Sequence, residues 1–118
     1  MTELQVSIDD FAKLDVRVAR VVEARPLEGA RKPALVLTLD CGPELGRLTS
    51  SAQITEAYDP ASVTGRFVLA VVNLPPRRVA GVKSEALTLG VYSSGGTGPV
   101  VLIAPDLHDE IRPGDRLG

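Results

Sequence analysis

The chain has a single cysteine, Cys41, among its 118 residues. An internal disulfide is therefore excluded, and the composition suits a reducing compartment. Tryptophan is absent, and the aromatic residues are only Phe11, Tyr58, Phe67 and Tyr92. Proteins that hold extended single-stranded nucleic acid stack bases on aromatic platforms, each worth about 1–3 kcal/mol. Four aromatics, two of them expected in a core, disfavour that class. The only histidine, His108, stands in Asp-Leu-His-Asp-Glu, where a lone imidazole among acids reads as a solvated turn residue. No serine occupies a nucleophile-elbow context, and no His/Cys cluster has metal-ligand spacing. The expectation is a protein that is not an enzyme and that needs neither cofactor nor metal. No apolar run approaches the roughly 20 residues of a membrane span. The segment Met1–Asp10, with Glu3, Asp9 and Asp10, lacks the apolar core of a signal peptide. These absences lead us to expect a cytoplasmic protein with no membrane insertion. Positive charge is not in excess either: 13 Lys and Arg against 15 Asp and Glu give −2, so any contact with nucleic acid has to come from a local patch.

The length and the 44% apolar content fit a single domain over residues 1–118, with no internal repeat or linker. Ser7 can cap a short helix through Asp10 to Leu14, with Asp9 and Asp10 in its first turn and with Phe11 and Leu14 plugging the end of a sheet. Asp15 to Arg25 alternates as a half-buried strand. Val16, Val18, Val22 and Ala24 take one face, and Asp15, Arg17, Glu23 and Arg25 take the other. Arg20 and Val21 break the alternation. A bulge near Ala19 would restore it; alternatively Arg20 reaches across an edge to a partner. Leu35, Leu37 and Leu39 mark a second strand and Leu48 to Ser51 a third. Asp59-Pro60 starts a short helix. Phe67 to Val72, apolar on both faces, is a central strand. Glu85 to Val91 and Val100 to Ala104 follow as strands, joined by a hairpin tip at Ser93 to Pro99, and Ile111 to Leu117 reads as a short closing strand. The fold class is all-β: a five-stranded oligonucleotide/oligosaccharide-binding (OB) barrel with a short N-terminal helix and a short helix between strands three and four.

Basic residues collect in the connections. Arg31 and Lys32 follow the first strand beside Pro33, Arg47 precedes the third, and Arg77, Arg78 and Lys83 follow the central strand in Asn73 to Gly90. Loops on a rigid scaffold are where binding residues gather. If these loops share one rim of the barrel, they neutralise about four phosphates, with a salt slope of about −3, and read the shape of folded RNA more than its sequence.

Several spaced motifs carry a resemblance across nearly the whole chain. They are Asp10-Phe11-Ala12-Lys13-Leu14-Asp15-Val16-Arg17-Val18, Ala30-Arg31-Lys32-Pro33-Ala34, Ser50-Ser51-Ala52-Gln53-Ile54-Thr55, Val71-Val72-Asn73-Leu74-Pro75-Pro76-Arg77 and Lys83-Ser84-Glu85. Together they resemble the tRNA-binding domain family, which includes the C-terminal appendix of bacterial methionyl-tRNA synthetases and free-standing structure-specific tRNA binders. Within it, the Lys-Pro-Ala and Ser-Ser-Ala-Gln-Ile-Thr stretches are most similar to the CsaA-like, export-related chaperone branch. Ala86 and Leu87 stand where the family's Ser-Glu-Gly-Met pattern continues, which is also similar to that branch. The resemblance implies an OB barrel and a homodimer. It also implies a polar tRNA-binding edge made of Lys32, Ser51, Asn73, Arg77, Lys83, Ser84 and Glu85. The implied partners are tRNA and unfolded or precursor polypeptides; the alternative is a tRNA-binding accessory module with no chaperone role. Val21 and Tyr92 are the residues expected to face outward and be buried by the dimer.

Overall fold

The structure, a computed structural model, describes residues 4–118; Glu3 and the two residues before it lie outside the described residues. Strands β1 (Val16–Pro26), β2 (Leu35–Asp40) and β3 (Arg47–Ala52) form an antiparallel meander, and β4 (Phe67–Val71) pairs with the other edge of β1. Strand β7 (Leu87–Thr88) extends β4, giving the order β3-β2-β1-β4-β7. The two ends of this sheet meet. Thr49 exchanges hydrogen bonds with Glu85, and the hydroxyls of Ser50 and Thr88 are 2.7 Å apart. The result is a nearly closed five-stranded antiparallel barrel of the expected OB-like class. Two short hairpins project from it: β5 (Arg77–Val79) with β6 (Val82–Ser84), and β8 (Gly90–Tyr92) with β9 (Val100–Leu102).

The core is aliphatic. Leu35, Leu37 and Leu39 of β2 enclose one side, with Ala19 and Val21 of β1, Val68 and Ala70 of β4, and Val63 of the helix α2 (Pro60–Val63). That helix starts as expected. The Asp59 carboxylate accepts from the Ser62 N–H at 2.8 Å while the Ser62 hydroxyl accepts from the Asp59 N–H, a reciprocal cap with Pro60 at the first turn.

Several expectations need correction. The bulge in β1 lies between Val21 and Glu23, not at Ala19. The core-facing residues are consequently Ala19, Val21 and Ala24, and Val21 is completely buried, which removes it from any intermolecular surface. Arg17, assigned to a solvated face, is buried at 5% exposure. Its guanidinium forks onto Asp15 at 2.6 and 3.2 Å, reaches Glu44 at 2.9 Å and donates to the Gly114 carbonyl. Helix α1 (Ile8–Ala12) is capped by Ser7 as expected, but it plugs nothing: it contains no buried residue, and Phe11 and Leu14 stay nearly half exposed. The segment from Ile111 to Leu117 forms no regular strand. It nonetheless runs along the β1 edge that β2 vacates before Arg20, with bonds from Val18 N–H to Asp115, Gly114 N–H to Val18 and Leu117 N–H to Val16. The apolar stretch Val100 to Ala104 is only partly buried, because β9 belongs to a projecting hairpin. Arg20, which breaks the alternation, is engaged within the chain. It donates to the Gly65 carbonyl at 3.0 Å and stacks on the Phe67 ring across the β1–β4 ladder.

Candidate nucleic-acid interface

Two basic segments distant in sequence are held together by a second, smaller apolar cluster. Leu27, Ala34 and Val36, from the ends of β1 and β2, are buried against Ala30 of the intervening loop and against Val79 and Val82 of the β5–β6 hairpin. A backbone bond from Leu27 N–H to the Ala34 carbonyl closes the loop. The hairpin turns through Ala80 (φ 47°) and Gly81 (φ 84°), the left-handed pair of a two-residue hairpin turn. Its far end is pinned to β3 by Ser84, whose hydroxyl accepts from the Ser51 N–H at 3.0 Å. Apolar packing therefore fixes the geometry, and the cations are carried on the solvent side of it.

Between these elements lies an open cleft of about 780 Å³ lined by Arg31, Lys32, Ser51, Gln53 and Arg77, with an apolar side that includes Leu87 and Tyr92. No aspartate or glutamate among the described residues lines it. Among the described residues, none of its three cations is in an ion pair. A chain of net charge −2 thus presents an uncompensated local charge of +3 over a concave surface, the field arrangement that attracts polyanions.

The expected edge residues divide into two groups. Lys32, Ser51 and Arg77 line the cleft. Ser84 and Glu85 instead support its wall, since both accept from backbone N–H groups of β3, Ser84 from Ser51 and Glu85 from Thr49 at 3.0 Å. Asn73 lies apart: its amide accepts from the Asp15 N–H at 2.9 Å and donates to the Lys13 carbonyl at 2.7 Å, which fastens the segment after α1 to the end of β4. Lys83 is exposed on β6, directly opposite Arg78, and does not line the cleft. Sequence reasoning missed the cleft-lining roles of Leu87 and Tyr92, and it held Gln53 only as part of the polar Ser50-Ser51-Ala52-Gln53 run, read either as backbone capping or as ligand hydrogen bonding. The only signal for Leu87 and Tyr92 is position, around β7 and β8, beside the cationic segments. Cys41 is fully buried, and burial pushes its thiol up to about 11, so it offers no nucleophile. Among the described residues, no cluster of His, Cys, Asp and Glu is arranged to hold a metal ion, and no helix is long and apolar enough to cross a membrane.

Comparison with known proteins agrees with this geometry. The chain is 43% identical over 112 residues to the methionine–tRNA ligase of Nitrosomonas europaea, and it spans only 15% of that enzyme. The corresponding figures for the methionine–tRNA ligase of Leptospira interrogans serovar Lai are 41% over 114 residues and 15% of the enzyme. Among solved structures, the chaperone CsaA of Bacillus anthracis superposes with a TM-score of 0.87 at 43% identity, covering 98% of this chain and all of that one. The CsaA chaperone protein of Picrophilus torridus gives 0.88 at 35% identity, over 97% of this chain and all of that one. Residues 16–116 match the family described as "Putative tRNA binding domain", and the chain belongs to that family.

Proposed function

We propose that the protein binds folded tRNA through the Arg31–Lys32–Arg77 cleft. The observation that carries the reading is the convergence of these cations, from two separated segments, on one concave surface free of acids. Three charges of this kind engage about three phosphates and give a salt slope of roughly −2 to −3 per protomer. With so few aromatics, recognition rests on backbone shape, as suits structured RNA. The chain corresponds to a small part of the methionine–tRNA ligases it resembles, and nothing in the cleft supports aminoacylation chemistry. A cytoplasmic location follows from the tRNA partner.

A homodimer is part of the same proposal. Ile8, Phe11, Leu14 and Leu117 line one surface hollow and are all exposed, and Tyr92 is 78% exposed. Apolar exposure of this extent on a small barrel is relieved by an isologous two-fold contact, which would also double the cationic cleft.

A second reading has its own support. Full-length superposition on two CsaA chaperones and the apolar wall of the cleft fit the holding of unfolded, export-bound polypeptide at the same surface. Measurement of tRNA and unfolded-polypeptide affinities across salt, with wild type and an Arg31→Glu/Arg77→Glu variant, tests both readings. The tRNA reading expects steep salt dependence and at least about tenfold weaker binding by the variant. Unchanged tRNA affinity in the variant would overturn it. Polypeptide binding that hardly responds to salt supports the chaperone role, and no polypeptide binding at all removes it.

A further inference from the structure

A second cationic pocket, with no residue in common with the cleft, lies at the other end of the β1–β2 ladder. Its volume is about 520 Å³, and it is lined by Arg20, Tyr58, Arg66, Phe67, His108 and Asp109, among others. Arg20 pairs with Asp40 near the end of β2, whereas the cleft begins near Pro26 and Leu35. Six residues of β1 separate the two, roughly 20 Å at strand rise.

The pocket is preorganised. Tyr58 is anchored by its hydroxyl, which accepts from the Leu102 N–H at 3.0 Å. Phe67 belongs to β4, and His108 meets it edge-on with ring centres 5.8 Å apart. Arg20 lies 4.1 Å above the Phe67 ring centre and Arg66 5.5 Å from that of Tyr58. Each guanidinium spends one nitrogen on a backbone carbonyl, Arg20 on Gly65 and Arg66 on Ser62. Among the described residues neither is in an ion pair, even though Asp109 lines the same pocket. Two flat guanidiniums are thus held in place with N–H donors to spare, beside one carboxylate acceptor.

We infer that this pocket binds a single nucleotide. The spare donors of Arg20 and Arg66 match phosphate oxygens, and the outer faces of stacked guanidiniums accept an unstacked base. Asp109 supplies an acceptor for an exocyclic amine or a ribose hydroxyl. The volume falls within the range of small-molecule sites and far exceeds what a bare phosphate fills. The nucleotide can be free or can belong to an unpaired position of a bound RNA.

The test titrates the intact protein with adenosine monophosphate, adenosine and inorganic phosphate, followed by amide NMR. Adenosine monophosphate is expected to shift Gly65, Arg66, Phe67 and His108 while leaving Arg31, Lys32 and Arg77 in place, and to bind more tightly than either fragment. Arg20→Gln/Arg66→Gln should weaken it at least about tenfold, and Arg66→Gln alone, which keeps the Arg20–Gly65 contact, by about threefold. If the natural source is RNA, the double variant also loses tRNA affinity; if it is the free nucleotide, tRNA affinity is unchanged. No shift at these amides up to about 10 mM, a range in which millimolar binding is detectable, overturns the inference. So does inorganic phosphate binding as tightly as the nucleotide, or full retention of binding by a folded double variant.

Discussion

The Ser84 hydroxyl and the Ser51 backbone amide, separated by 33 residues in the chain, meet at 3.0 Å. This bond fastens the β5–β6 hairpin to β3, so a side chain with no charge decides where Arg77 stands. Ser84→Ala leaves the Ser51 N–H without its partner, and the expected loss is about 1 kcal/mol of stability. Urea denaturation measures that loss, and tRNA affinity should fall with it although no cation has been removed. A variant as stable and as active as wild type would deny the hairpin its role in shaping the cleft.

Arg77 and Lys83 share the hairpin but not the surface. Arg77→Gln should weaken tRNA binding by about three- to tenfold and make the salt slope shallower by nearly one, as for a lost phosphate contact. Lys83→Gln should change it by less than about twofold. Lys83→Glu should even stabilise the hairpin by about 0.2–1 kcal/mol, because it replaces a like-charge pairing across from Arg78 with an opposite-charge one. Filter-binding isotherms at three salt concentrations, with thermal melts alongside, separate the two residues.

Ala80 adopts a left-handed backbone conformation, φ 47°, in front of Gly81. A β-carbon in that region costs roughly 1–2 kcal/mol, and Asn-Gly is the pair that such turns prefer. Ala80→Asn is therefore expected to raise the melting temperature, by the equivalent of about 0.5–1 kcal/mol, without loss of tRNA binding. A lowered melting temperature would show that the methyl group contributes more to the cleft wall than it costs in strain.

The Asp15–Arg17–Glu44 network sets the response to acid. Hydrogen bonds from the Arg17 guanidinium hold the Asp15 carboxyl below its ordinary value of 3.8, against a smaller opposing effect of burial. The unfolded chain therefore takes up this proton before the folded chain does. The contribution to stability is complete above the ordinary carboxylate range and is lost as pH falls through the lower folded value. Urea midpoints measured from neutral pH downward should decline at the acidic end, and the decline should be shallower in Asp15→Asn. That variant should also be less stable than wild type at pH 7.

Much of the barrel is legible in the residues because the relevant signals are local. Asp59-Pro60 starts α2 and Ser7 caps α1, each through contacts within a few positions, and the three leucines of β2 show their core face by their own alternation. The misread features depend on distance. Arg17 is buried because Glu44, 27 residues away, and the Gly114 carbonyl, 97 away, come to it; alternation alone assigns such a residue to solvent. The β1 bulge shifts the alternation by one residue, so Ala19 and Val21 face the core before it and Ala24 faces the core after it. The β5–β6 hairpin has strands too short for a periodic signal, so it reads as a basic loop. Motif position identified Lys32, Ser51 and Arg77 as cleft residues, yet it could not distinguish them from Ser84 and Glu85, which hold backbone, or from Asn73, which serves another junction.

The bonds that Gly114 to Leu117 make with Val16 and Val18 matter to how the molecule behaves in a crowd. Stripped of that covering, the first strand would turn a row of idle amides and carbonyls outward, an invitation to pair with any extended stranger. A handful of residues with almost no regular structure thus closes off one edge of the kind through which sheets recruit their neighbours into fibres.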